Sequence, residues 1–64
     1  MRVQLPDGTV RTVEAEGIPV EQVLGLLGVN PVEVIVTRNG TVVPEDAMAE
    51  REDELRLIRI SHGG

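Results

Sequence analysis

Glu54-Leu55-Arg56-Leu57-Ile58-Arg59-Ile60, followed by Ser61-His62-Gly63-Gly64, closes the 64-residue chain and decides how the rest is read. In an extended strand successive side chains point to opposite faces. Leu55 and Leu57 therefore share one face, and Arg56, Ile58 and Ile60 share the other. The leucine face is predicted to be core beneath a helix. That leaves Ile58 and Ile60 outward, flanked by Arg56, next to the exit of a glycine-ended tail. Two outward isoleucines on one strand in that position read as a docking patch.

Working outward, the remaining segments supply what such a strand needs. Val3 and Leu5 alternate with Arg2 and Gln4, and Val10 to Glu14 resumes the pattern after Pro6-Asp7-Gly8-Thr9, which predicts a hairpin. Val20, Val23, Leu24 and Leu27 recur at helical spacing. Pro19 suits the first helical position and Gly28 a left-handed cap, with Val29 folding back on Leu24. Asn30-Pro31 stops the helix. The β-branched run Val34-Ile35-Val36-Thr37-Arg38 reads as a central strand. Asn39-Gly40 predicts a tight turn into Thr41-Val42-Val43. Residues 45–53 read as a surface connection with one short helical turn around Ala47 and Met48. The order β-β-α-β-β-β predicts an α+β fold: a mixed sheet of four to five strands, first and last strands parallel at its centre, one main helix across one face. The expected organisation is one domain over residues 1–60 and a flexible tail over 61–64.

Composition bounds the chemistry. A domain this small buries only about 60% of the surface of its unfolded chain. With no Cys, Phe, Tyr or Trp, the core must be aliphatic and unassisted by disulfides. One histidine and no thiol exclude a zinc site. A net charge of −5 and the lack of aromatic stacking platforms argue against nucleic acid and anionic membranes as direct partners. No apolar run nears the ~20 residues of a membrane span, and no signal pattern opens the chain, so a cytoplasmic monomer is expected. All six basic residues are arginine; there is no lysine. The α-amino group of Met1 is then the primary amine of the chain.

No catalytic constellation is present, and the chain is not read as an enzyme. Ser61 and His62 are adjacent, so in extended chain they point apart, with no carboxylate placed to orient the imidazole. Gly25 and Gly28 match no phosphate-binding pattern. Glu45, Asp46, Glu50, Glu52, Asp53 and Glu54 lack the spacing and central glycine of a calcium loop and read as a solvated face. No bound cofactor or metal is expected. Gly63-Gly64 offers a fold nothing to pack and costs entropy to order. It does offer a thin thread ending in an unhindered carboxylate, able to enter a cleft where a Cβ would clash.

The chain resembles the ubiquitin-like β-grasp proteins with a C-terminal Gly-Gly, in particular the small archaeal modifier proteins and the sulfur carriers of the ThiS and MoaD type. The resemblance rests on the helix ending in Leu27-Gly28, the hairpin Asn39-Gly40, Val43-Pro44-Glu45-Asp46, and Leu55-Arg56-Leu57-Ile58-Arg59 ahead of Gly63-Gly64. It implies an E1-like partner that consumes ATP to adenylate the Gly64 carboxylate. The acyl group then becomes a thiocarboxylate, as in tRNA thiolation, or passes to a lysine of a target protein as an isopeptide. Gly64 is the reacting residue in this scheme and Gly63 the clearance residue. Arg56, Ile58 and Ile60 form the E1 or partner docking surface, and sulfur-transfer enzymes or target lysines are the further partners. Four extended residues beyond Ile60 reach at most ~13–14 Å. Ile60-Ser61-His62 lengthen the tail relative to the shortest members of the family.

Three alternatives stay open: a molybdopterin synthase small subunit, a thiamin-pathway sulfur carrier, and a non-covalent β-grasp interaction module whose Gly-Gly is incidental. Arginine cannot replace lysine as an acyl acceptor, because its guanidinium stays protonated. The chain is therefore not expected to be extended into lysine-linked chains on itself, and accepts at most through Met1.

Overall fold

A computed structural model of the protein describes residues 1–60. Its elements are β1 (Arg2–Gln4), β2 (Val10–Thr12), β3 (Ile18–Pro19), α1 (Val20–Leu26), a 3-10 turn (Pro31–Glu33), β4 (Val34–Arg38), β5 (Thr41–Val43), β6 (Met48–Ala49) and β7 (Glu54–Arg59). Five strands form one mixed sheet in the order β2-β1-β7-β4-β5. β1 and β7 run parallel at its centre, Val3 opposite Leu55, as the alternation of apolar residues requires. Every other pair in the sheet is antiparallel. The expected α+β mixed sheet with one helix is thus what the chain adopts.

The turns follow residue chemistry. Asn39 and Gly40 adopt φ of 50° and 88° between Arg38 and Thr41, the left-handed pair that a two-residue hairpin loop needs. The Asn39 side chain also accepts from the Glu54 N–H at 3.0 Å and donates to Asp53 at 3.3 Å, which fixes the hairpin tip to the entry of β7. In the β1–β2 loop, the Thr9 N–H donates to the Asp7 carboxylate at 2.9 Å. That hydrogen bond holds the Asp7 carboxyl below its ordinary range. Its contribution to the turn is present above the usual carboxylate pKa and fades as pH falls through the lowered value.

The core lies between α1 and the sheet. Val20, Val23 and Leu24 of the helix join Val3, Val34, Val36, Leu55 and Leu57 of the strands, with Met1, Val13 and Ala49 completing the buried set. The helix ends as its sequence predicts. Val29 N–H donates to the Leu24 carbonyl at 2.9 Å and Gly28 N–H to the Gly25 carbonyl at 3.2 Å, with Gly28 at φ 72°. This is the paired 6→1 and 5→2 closure of a Schellman motif. Two glycines in one segment therefore predict opposite effects. Gly28→Ala places a Cβ in the left-handed region and should cost about 1–2 kcal/mol. Gly25 is exposed and ordinary in φ, and its Cβ would meet no atom within 4 Å. Gly25→Ala should stabilise by about 0.4–1 kcal/mol. Urea unfolding of both variants checks the sign of each.

Two expectations need correction. Pro19 is not the first helical residue: it is extended (φ −66°, ψ 149°) and precedes the helix. Residues 45–53 are more than a surface connection, and Met48 is not helical. Met48 and Ala49 form β6, which pairs with β3 in a second, two-stranded sheet. The reason for both is one set of backbone bonds. The helix has no side-chain cap; its first N–H groups go instead to the 45–47 segment, Val20 to the Ala47 carbonyl and Glu21 to the Glu45 carbonyl, each at 2.8 Å. Orphan donors at a helix start need partners, and here another stretch of chain supplies them. Extended Pro19 keeps β3 in register with β6 while doing so.

Candidate functional site

The face of the sheet opposite α1 carries the candidate site, and the register builds it. Arg56 on β7 lies between Gln4 of β1 and Thr37 of β4. Val10 of β2 continues that row beyond Gln4, and Val42 of β5 beyond Thr37. One step toward the end of β7, Ile58 stands directly opposite Ile35 of β4. Ile35 is 41% exposed and Ile58 42%. The face therefore presents a paired-isoleucine centre beside an arginine, with valines at both sheet edges. A shallow hollow runs between Gln4, Thr37, Arg56 and Ile58.

Of the residues read from the sequence, Arg56 and Ile58 are exposed on this face as expected. Ile60 follows β7 directly and is half-buried. Its N–H donates to the Glu33 carbonyl at 2.9 Å, so it prolongs the β4–β7 ladder. The residue the sequence reading omitted is Ile35. It sits inside a β-branched run that reads only as a central strand, and the β4–β7 register reveals that it faces out next to Ile58. Gly63 and Gly64 lie outside the described residues.

Charge is arranged around β7. Arg56 and Arg59 are both exposed, and a second hollow between the β1–β2 turn and β7 is lined by Leu5, Pro6, Asp7, Arg56, Ile58 and Arg59. Arg59 also contributes to the lowered Asp7 carboxyl, after the dominant Thr9 hydrogen bond. Arg2 and Glu54, at the far end of the sheet, form a 3.7 Å ion pair with both side chains well exposed, worth at most about 1 kcal/mol. The end of β7 is thus basic and apolar on a chain that is acidic as a whole. No group of three or more candidate metal ligands occurs among the described residues. No helix of the described residues is long and apolar enough to cross a membrane.

No protein-family model matches the chain. An uncharacterized protein of Archaeoglobus fulgidus is 36% identical over 52 residues, covering 81% of this chain and 76% of that one. Among solved structures, the thiamine biosynthesis protein ThiS from Geobacter metallireducens matches end to end. It covers 100% of both chains at a TM-score of 0.69 and 28% identity. With the parallel central pair, the single helix across the sheet and this full-length likeness in place, the chain has the ubiquitin-like β-grasp fold of the ThiS-MoaD-type family.

Proposed function

We propose that this protein is an activated acyl carrier whose working group is the Gly64 carboxylate, with sulfur as its cargo. The observation that carries the reading is the end-to-end likeness to a ThiS protein, joined to a β7 followed in sequence by Ile60 and then Ser61-His62-Gly63-Gly64. Proteins of this family are small carriers, not enzymes, and the chemistry is done to them. An E1-like enzyme would bind the Arg56, Ile35 and Ile58 face and draw the tail into its nucleotide site. A Gly64 carboxylate oxygen attacks the α-phosphate of ATP and pyrophosphate leaves. A sulfur nucleophile at the sulfide level then displaces AMP, giving the thiocarboxylate. ATP is consumed by the enzyme and is not held by the carrier.

Transfer of the same acyl group to a target lysine begins with the same adenylate, so one assay reads both fates. The chain is incubated with its E1-like enzyme, ATP and a sulfur donor, and its intact mass is measured. The expected product has one oxygen replaced by sulfur. Alkylation of that sulfur with iodoacetamide, which displaces iodide and leaves an S-carbamidomethyl thioester, should map to Gly64. Appearance of the chain on lysines of other proteins, with no sulfur product, would replace sulfur carriage with protein modification. A chain unchanged by ATP and every E1-like enzyme of its source would leave the non-covalent module as the better reading.

A further inference from the structure

The start of β1 holds a group that the carrier chemistry does not use. An activated carboxyl group is an electrophile, and the strong nucleophiles toward it in proteins are amines and thiolates. This chain has no lysine and no cysteine, which leaves the α-amino group of Met1. That amine is not free. Met1 is only 7% exposed and belongs to the core cluster. Its ammonium donates to the Val13 carbonyl at 2.9 Å, and Val13 N–H returns a bond to the Met1 carbonyl at 2.9 Å. The two bonds make a ladder rung one residue beyond the Arg2–Thr12 pair of β1 and β2. The hollow next to Met1 is lined by Glu14, Glu16 and Glu52 together with Arg51. A second carrier approaching it brings its own charge of −5, so like charges oppose the encounter.

We propose that the folded chain is closed as an acyl acceptor: it donates its carboxyl group and receives none, from its own activated copies or from a conjugating enzyme. Acceptance would require the carbon–oxygen bond to AMP, or the carbon–sulfur bond of a thioester, to break as a new carbon–nitrogen bond forms. The attacking ammonium would have to lose one proton to solvent first, and the nitrogen a second as the amide forms. The fold withholds the nitrogen from that reaction by covering it and committing it to Val13. An activated carrier is then not consumed by its neighbours at high concentration, and any conjugate it forms stays a single unit. That consequence rests on Gly64 being the activated group; the closure itself does not.

The test needs no activating enzyme. The full chain is treated with the N-hydroxysuccinimide ester of acetic acid, folded and in guanidinium, then with hydroxylamine to strip acetyl groups from oxygen and imidazole. Intact mass and peptide mapping follow. The folded chain should acetylate at Met1 at least about tenfold more slowly than the unfolded chain, the ratio given by an opening cost of ~1.4 kcal/mol. Gln22→Lys, on the exposed side of α1, should gain one acetyl group at the substituted position at the unhindered rate while folded. Equal rates at Met1 in folded and unfolded chains would overturn the closure. In a second arm, a chain bearing a Gly64 thioester of 2-mercaptoethanesulfonate is mixed with unmodified chain or with Gln22→Lys. An amide-linked dimer is expected with Gln22→Lys alone, and a dimer with the unmodified chain would overturn the proposal. Failure of enzymatic activation at Gly64 would remove the carrier reading and leave both of these results standing.

Discussion

A Leu24→Ala chain is expected to lose about 2–5 kcal/mol of stability, the cost of emptying a fully buried leucine site. Leu24 is 1% exposed, at the middle of the helix face that covers the sheet. The core around it holds no aromatic residue that could swing into the space. The same residue's carbonyl accepts the Val29 N–H of the helix closure and the Leu27 N–H, so the cavity opens directly beneath the cap. A domain of this size has roughly 3–10 kcal/mol in total, at ~0.05–0.15 kcal/mol per residue. The loss is therefore comparable to the whole, and a substantial unfolded population should be visible at room temperature by circular dichroism. Leu26→Ala is the control: two residues along, 62% exposed, it should change stability by no more than about 0.5 kcal/mol. A Leu24→Ala chain within 1 kcal/mol of the parent would mean that α1 is not seated on the sheet as described.

The second large effect is on recognition. Ile58→Asp should raise the carrier concentration needed for half-maximal activation by an E1-like enzyme about ten- to a hundredfold. Burying an isoleucine side chain against a partner is worth roughly 1.5–3 kcal/mol, which converts to that range. The maximal rate should be kept, because the Gly64 carboxylate is untouched. The fold should survive: Ile58 is on the outer face, and losing its cross-strand pairing with Ile35 costs no more than about 1 kcal/mol. Leu26→Asp, on the far side of the molecule, should leave activation unchanged. Equal half-saturation for Ile58→Asp and the parent would move the docking surface off this face.

What could be read from the sequence was what local rules govern. Asn39-Gly40 announced its turn because few residue pairs tolerate two positive φ values in succession. Gly28 announced the helix end for the same reason, and Leu55 and Leu57 marked the buried face of β7 by simple alternation. The β3–β6 ribbon escaped because two residues per strand, Ile18–Pro19 and Met48–Ala49, carry no period to detect. Ala49 is fully buried, yet an alanine in an acidic stretch gives no sign of it. The burial of Met1 and the exposure of Ile35 were hidden for another reason. Each depends on which residue of a distant strand stands opposite, and that is settled by the register of the assembled sheet. In the candidate site, Arg56 and Ile58 were legible because they share one strand, and Ile35 was not because it lies on another.

The parallel alignment of β1 with β7 also gives the molecule two poles. Arg2 stands beside Glu54, and Ile60 lies six residues further along, about 20 Å away at ~3.3 Å per residue. The shielded amine occupies one pole and the root of the glycine tail the other. A label or tether joined ahead of Met1 would leave from the end remote from the chemistry. A partner engaging the Ile60 end of the sheet would meet none of it, because the acidic hollow beside Met1 lies at the opposite pole.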